Sequence, residues 1–192
     1  YGNNGTVSGA VFNSSGKYGG AYSFDGINDY IGIPDSDNWF FDTGNFAVTA
    51  WVKADTFGTY NTIIAHYGGE NGYSGLKNAM QYSVGDWAGN DKLHFDGAIG
   101  GVGVNLNGVT TLSTNTWYHT ALVRNGGILY LYLNGVVESQ VNVSGSNPNS
   151  PQPLEIGVAR DGANVQVNWW DGIIDEVQIY NRSLTAEEIT NL

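Results

Sequence analysis

Two carboxylates stand out as residues that could do chemistry. Asp25 sits in the turn tripeptide Phe24-Asp25-Gly26. Asp175 lies in the apolar stretch Ile173–Tyr180, in phase with Val177 and Ile179, whose side chains are expected to point inward. A carboxylate on the inner side of a strand is costly unless it is paired. The chain offers few partners, with seven Lys plus Arg against eighteen Asp plus Glu. A hard cation with oxygen ligands would solve the problem, and calcium tolerates irregular sites of carboxylates and carbonyls. The plainer alternative is that Asp25 closes an Asx-turn and Asp175 accepts backbone N–H groups. Asp35, Asp37 and Asp42 form a second acidic group whose spacing matches no cation loop, so a solvated loop is expected there. The three histidines are too dispersed for a zinc motif.

The other chemistry is aromatic. Six Trp and twelve Tyr are many for 192 residues. Aromatic rings stack on the C–H faces of sugars, while Asn, Asp and Arg bind the hydroxyls. Trp51, Trp117 and Trp170 fall in or beside strands and read as packing residues. The loop residues Trp39, Tyr67, Tyr73 and Trp87 are the better ligand-binding candidates. So are Trp169, expected to face opposite Trp170, and Arg160 with Asp161 just after a strand. For each, hydrophobic closure of the sandwich ends is the competing role.

Catalytic patterns are absent. Glycoside hydrolysis needs two carboxyls on one face about 5–10 Å apart. Asp175 and Glu176 are adjacent, so on a strand they point to opposite faces. No nucleophile elbow or phosphate loop occurs. Cysteine is absent, which excludes disulfides and thiolate chemistry.

These residues must be positioned by many short strands. Twenty-eight glycines punctuate brief apolar runs. Strands are expected at 46–53, 62–66, 79–84, 92–96, 117–123, 128–133, 136–141, 154–158 and 173–180. In the run 128–133, Leu129, Leu131 and Leu133 should face one side and Ile128, Tyr130 and Tyr132 the other. Asn134-Gly135 is a strong hairpin turn. Thr185-Ala186-Glu187-Glu188 is a capping box opening one short terminal helix. Long loops are expected at 68–78 and 144–153. No composition shift or repeat divides the chain, so residues 1–192 read as a single domain. The pattern argues for an all-β fold, two antiparallel sheets packed face to face, with a short C-terminal helix. The net charge of −11 disfavours nucleic acid and anionic membranes. No apolar run reaches the roughly 20 residues of a membrane span.

The residues Gly19–Gly26, Asp29-Tyr30-Ile31, Ala50-Trp51-Val52, Trp117–Ala121, Leu131–Gly135, Ile156-Gly157 and Gly172–Leu184, in that order, cover nearly the whole chain. Together they resemble the laminin-G-like, concanavalin-A-like lectin/glucanase superfamily. The resemblance implies a jelly-roll β-sandwich with one concave sheet, usually a non-catalytic module of a secreted or cell-surface protein. It implies calcium between the Phe-Asp-Gly region and the late Asp, here Asp25 and Asp175, with a backbone carbonyl near Asn28. It also implies a glycan or polysaccharide as partner and an extracellular or cell-surface location, with neighbouring domains as further contacts. A structural or protein-adhesion module is the alternative, and a polysaccharide-degrading enzyme on the same fold the third reading.

Overall fold

The computed structural model describes residues 3–66 and 80–192. Short strands punctuated by glycine build two antiparallel sheets of seven strands each. The first, sheet A, runs in the order β1 (Thr6–Ser8), β4 (Tyr30–Ile33), β13 (Leu154–Ile156), β6 (Asn61–His66), β7 (Met80–Val84), β8 (Leu93–Ile99), β9 (Val102–Asn107). The second, sheet B, runs β12 (Val136–Asn142), β11 (Ile128–Leu133), β10 (Tyr118–Asn125), β5 (Phe46–Ala54), β16 (Asp171–Tyr180), β3 (Ala21–Asp25), β2 (Val11–Asn13). A small hairpin, β14 (Ala159–Arg160) with β15 (Gln166–Val167), stands apart from both. This is the expected two-sheet sandwich.

Alternation decides what fills the middle. Phe46, Val48, Ala50 and Val52 of sheet B meet Tyr82, Val84, Leu93 and Phe95 of sheet A in one continuous core. Leu129, Leu131 and Leu133 enter this core, while Tyr132 belongs to a second cluster on the far side of sheet B, with Tyr130 packed against it. The facing expected for β11 is therefore observed. Asn134 (φ 49°) and Gly135 (φ 81°) both take the left-handed backbone that a tight hairpin with the right twist requires.

The helix α1 (Ala186–Thr190) closes that second cluster. Thr185 accepts from Glu188 N–H, and Glu188 accepts in return from Thr185 N–H, so the capping box forms as the residues predict. Leu184 and Ile189 then cover Ala47, Ala121 and Val123. Thr185→Ala is expected to cost about 1 kcal/mol, read as a fall of roughly 2–4 °C in melting temperature.

One end of the sandwich is tied down by Arg124. Its buried guanidinium donates to Asp42 O (3.0 Å), Asn147 Oδ1 (2.7 Å) and Gly145 O (2.6 Å). Gly100 N–H donates to Ser146 O nearby, so the β8–β9 turn shares this end. The β7–β8 loop lies at the other. Among the described residues no helix is long and apolar enough to cross a membrane.

Candidate functional site

The outer face of sheet A is polar, and it is buried. With Met80, Tyr82, Val84, Leu93 and Phe95 turned into the core, the alternate residues must point away from it. The strand registers align them in two rows. One runs Glu155, Ala65, Gln81, Asp96, Asn105 across five strands; the other runs Thr62, Ser83, His94, Asn107. Gln81, Ser83, His94, Asp96 and Glu155 are all at most 8% exposed. Residues that sequence alternation would place in water are thus withdrawn from it.

Buried polar groups need partners, and most here have them. Gln81 Nε2 donates to Thr62 Oγ1 (3.1 Å). Glu155 receives Arg160 through Nε (2.9 Å) and Nη2 (2.7 Å), and Gln166 Nε2 (2.8 Å). Ala159 packs on Ala65, so the β14–β15 hairpin lies over this same face. His94 Nδ1 lies 2.7 Å from Asn107 Oδ1, and the Tyr60 ring stands 5.6 Å from the imidazole. His94 Nε2 and Asn90 Oδ1 are buried with no partner. Asp86 anchors the β7–β8 loop by accepting Ala88 N–H at 2.8 Å. Burial pushes its carboxyl up. The side chain of Asn90, the N–H groups of Ala88 and Asn90, and nearby His94 outweigh that and hold it below the usual carboxylate range. Beside it, Trp87 projects with 76% of its surface exposed. Asn105 opens the β9 edge to solvent.

The residues singled out by sequence divide. Arg160, Asp161 and Trp169 come together on the segment over sheet A. Arg160 is held by Glu155, and Asp161 Oδ1 accepts the N–H groups of Ala163 and Val165, both at 2.9 Å, to close the hairpin turn. Both side chains thus have structural partners. Trp169 is half-buried against Tyr30, with ring centroids 6.2 Å apart, while Trp170 is fully buried, so the two indoles do face opposite ways. Trp39 sits at the other end of the sandwich, packed on the core with Nε1 donating to Pro34 O (3.2 Å). It lines a separate open cleft of about 510 Å³ with Phe41, Asn45 and Tyr180. Tyr67 and Tyr73 lie outside the described residues. Sequence reasoning passed over Glu155, Gln81, Asp96, Asn90 and Tyr60. The signal was there in the polar alternates of 80–84 and 93–96, but alternation marks a face without saying whether it is covered.

The expected cation site is not assembled. Asp25 pairs opposite Asp171, which leaves Asp175 four residues farther along β16, roughly 13 Å away. Asp25 is exposed, and its Oδ1 accepts Ile27 N–H (2.9 Å) and Asn28 N–H (3.2 Å), the Asx-turn alternative. Asp175 accepts Tyr18 N–H (3.0 Å) and Glu176 N–H (2.8 Å). It also does not share a face with Val177 and Ile179. A bulge between Asp175 and Gln178, with Glu176 at φ 47°, puts Asp175 in register with Trp51 on the outer side of sheet B. Asp25, Asn28 and Asp175 therefore do not fit one shared calcium ion. Among the described residues no three His, Asp or Glu side chains gather as metal ligands.

A sandwich of two seven-stranded antiparallel sheets is the architecture of a jelly roll. The family comparison says the same: residues 25–190 match the model of the concanavalin A-like lectin/glucanases superfamily, and the chain belongs to that family. No curated protein sequence matches it. Among solved structures it is similar to the binding domain of a paraclostridial mosquitocidal protein, with TM-score 0.74 and 16% identity over 99% of this chain and 47% of that one. It is also similar to domain 4 of an extracellular arabinanase from Geobacillus stearothermophilus, solved with arabinotriose, with TM-score 0.67 and 21% identity over 97% and 86% of the two chains. A third is a putative carbohydrate binding protein from Bacteroides ovatus, with TM-score 0.61 and 22% identity over 97% and 45%. The chain thus spans about half the length of the first and third of these, and most of the second.

Proposed function

We propose that this chain is a non-catalytic carbohydrate-binding module whose ligand lies on the outer face of sheet A. The observation that carries this reading is the buried polar layer of that sheet, rimmed by the exposed indole of Trp87 and the ring of Tyr60. Aromatic rings supply a stacking surface, and fixed polar groups supply orientation, the usual construction of a ligand site. The carboxylates of this face support binding over hydrolysis. Glu155 and Asp96 are separated by three strand spacings, roughly 14 Å, too far to act as a hydrolytic pair. Glu155 is in addition neutralised by Arg160. The arabinotriose-bound neighbour and the carbohydrate-binding one are consistent with the same role here, as part of a larger extracellular protein.

Trp87→Ala tests it. The side chain lies outside the core clusters and stands in solvent, so stability should change by less than about 0.5 kcal/mol. Glycan affinity, read by titration calorimetry, should fall on the order of ten-fold, the worth of one aromatic stack at about 1 kcal/mol or more. Unchanged affinity would move the site away from this rim.

A further inference from the structure

Resting on that glycan reading, we infer that the site takes neutral, hydroxyl-rich sugars and discriminates against acidic ones. The groups it leaves unsatisfied are acceptors. Asn107 Nδ2 points to Asn105 Oδ1 at 3.5 Å, which turns Asn107 Oδ1 toward His94. In the neutral tautomer whose Nδ1–H donates to Asn107, His94 Nε2, fully buried, is an acceptor with no partner. Asn90 donates its amide to Asp86, and its buried Oδ1 is left in the same condition. A third such oxygen, Asn164 Oδ1, lies in the turn of the hairpin over this face.

A buried acceptor without a donor is unfavourable until a donor reaches it. A sugar hydroxyl brings that donor and can accept at the same atom. A carboxylate or sulfate brings acceptors only. The anionic group of an acidic sugar could not meet these acceptors and would set its charge near Asp86 and Asp96.

Nor does the face offer a ready cation. Arg160 directs Nε and Nη2 to Glu155 and Nη1 to Asn164 O (3.1 Å). Lys92, at the start of β8, is the other described cation on these strands, in a chain of net charge −11. The surrounding field opposes an anion.

The test is calorimetric titration of the intact chain with neutral arabino-, xylo- and galacto-oligosaccharides against galacturonate oligomers and sialyllactose, at 0.05 and 0.5 M NaCl. Expected are neutral ligands bound at least ten-fold more tightly, with any residual acidic binding strengthened by salt as repulsion is screened. His94→Phe and Asn90→Ala should each weaken neutral binding about five-fold or more. Asn90 is on a half-exposed loop, so its variant remains readable if the His94 variant does not fold. Acidic sugars bound equally well, or weakened by salt, would overturn the inference and leave the glycan reading standing. So would neutral binding indifferent to the Asn90 variant. Binding of no sugar of either class would overturn the glycan reading itself.

Discussion

Arg160→Ala should lower stability by about 3–5 kcal/mol, the effect of removing one partner of a buried ion pair. Glu155 is the reason. Its side chain is 2% exposed, and Arg160 meets both of its oxygens, at 2.7 and 2.9 Å. Without the guanidinium, the carboxylate keeps one neutral donor, Gln166 Nε2. The hairpin also loses the bond from Nη1 to Asn164 O that ties β14 to the turn. In a domain of this size the melting temperature should fall by roughly 10 °C. The double variant Glu155→Gln with Arg160→Met should be milder than Arg160→Ala alone, because it leaves no unpaired charge in the sheet face. Urea denaturation of the three proteins measures this. A loss under about 1 kcal/mol for Arg160→Ala, with sugar affinity abolished, would return Arg160 to the hydroxyl-clamping role its position in the sequence suggests.

Gly172→Ala should be comparably damaging, at about 3–5 kcal/mol, for a wholly backbone reason. Gly172 sits at φ 131°, where only glycine is comfortable. A Cβ there would lie 2.3 Å from Lys53 O and 2.8 Å from Ala54 Cα, and neither atom is the end of a side chain that can swing away. The clash would wedge β16 from β5 at the head of their ladder, where Gly172 pairs with Ala54. Thr56 Oγ1 and Asp171 Oδ2 close the same corner with a short hydrogen bond, so the strain would extend into the β5–β6 connection. Thermal unfolding reads the effect. An alanine variant as stable as the parent would mean that β5 and β16 need not approach this closely.

The sequence was most legible where one physical rule acts alone. Period-two alternation gave the facing of β11, paired φ-tolerant residues gave the Asn134-Gly135 turn, and the reciprocal capping box gave the start of α1. Legibility failed where the answer depends on what lies alongside. β1, β2, β14 and β15 are two or three residues long, too short to show a period, and β9 is interrupted by Gly103. Asp175 was placed inward because alternation was carried through β16 unbroken, and the bulge after it reverses the phase. Arg160 looked free because its partner, Glu155, belongs to a strand that reads as an ordinary buried one. Only the return of the chain over sheet A brings the two together. The same holds for His94 and Asn107, neighbours across a β-ladder that sequence does not register.

The location of the sugar site is the claim on which the functional account turns, and a nitrogen-15 NMR titration of the intact chain with the tightest neutral oligosaccharide tests it most directly. The account predicts shifts concentrated at Gln81, Ser83, His94, Asn105, Asn107 and the Trp87 indole N–H. Shifts confined to the opposite end, around Trp39, Asn45 and Tyr180, would contradict it and move the ligand to the other cleft.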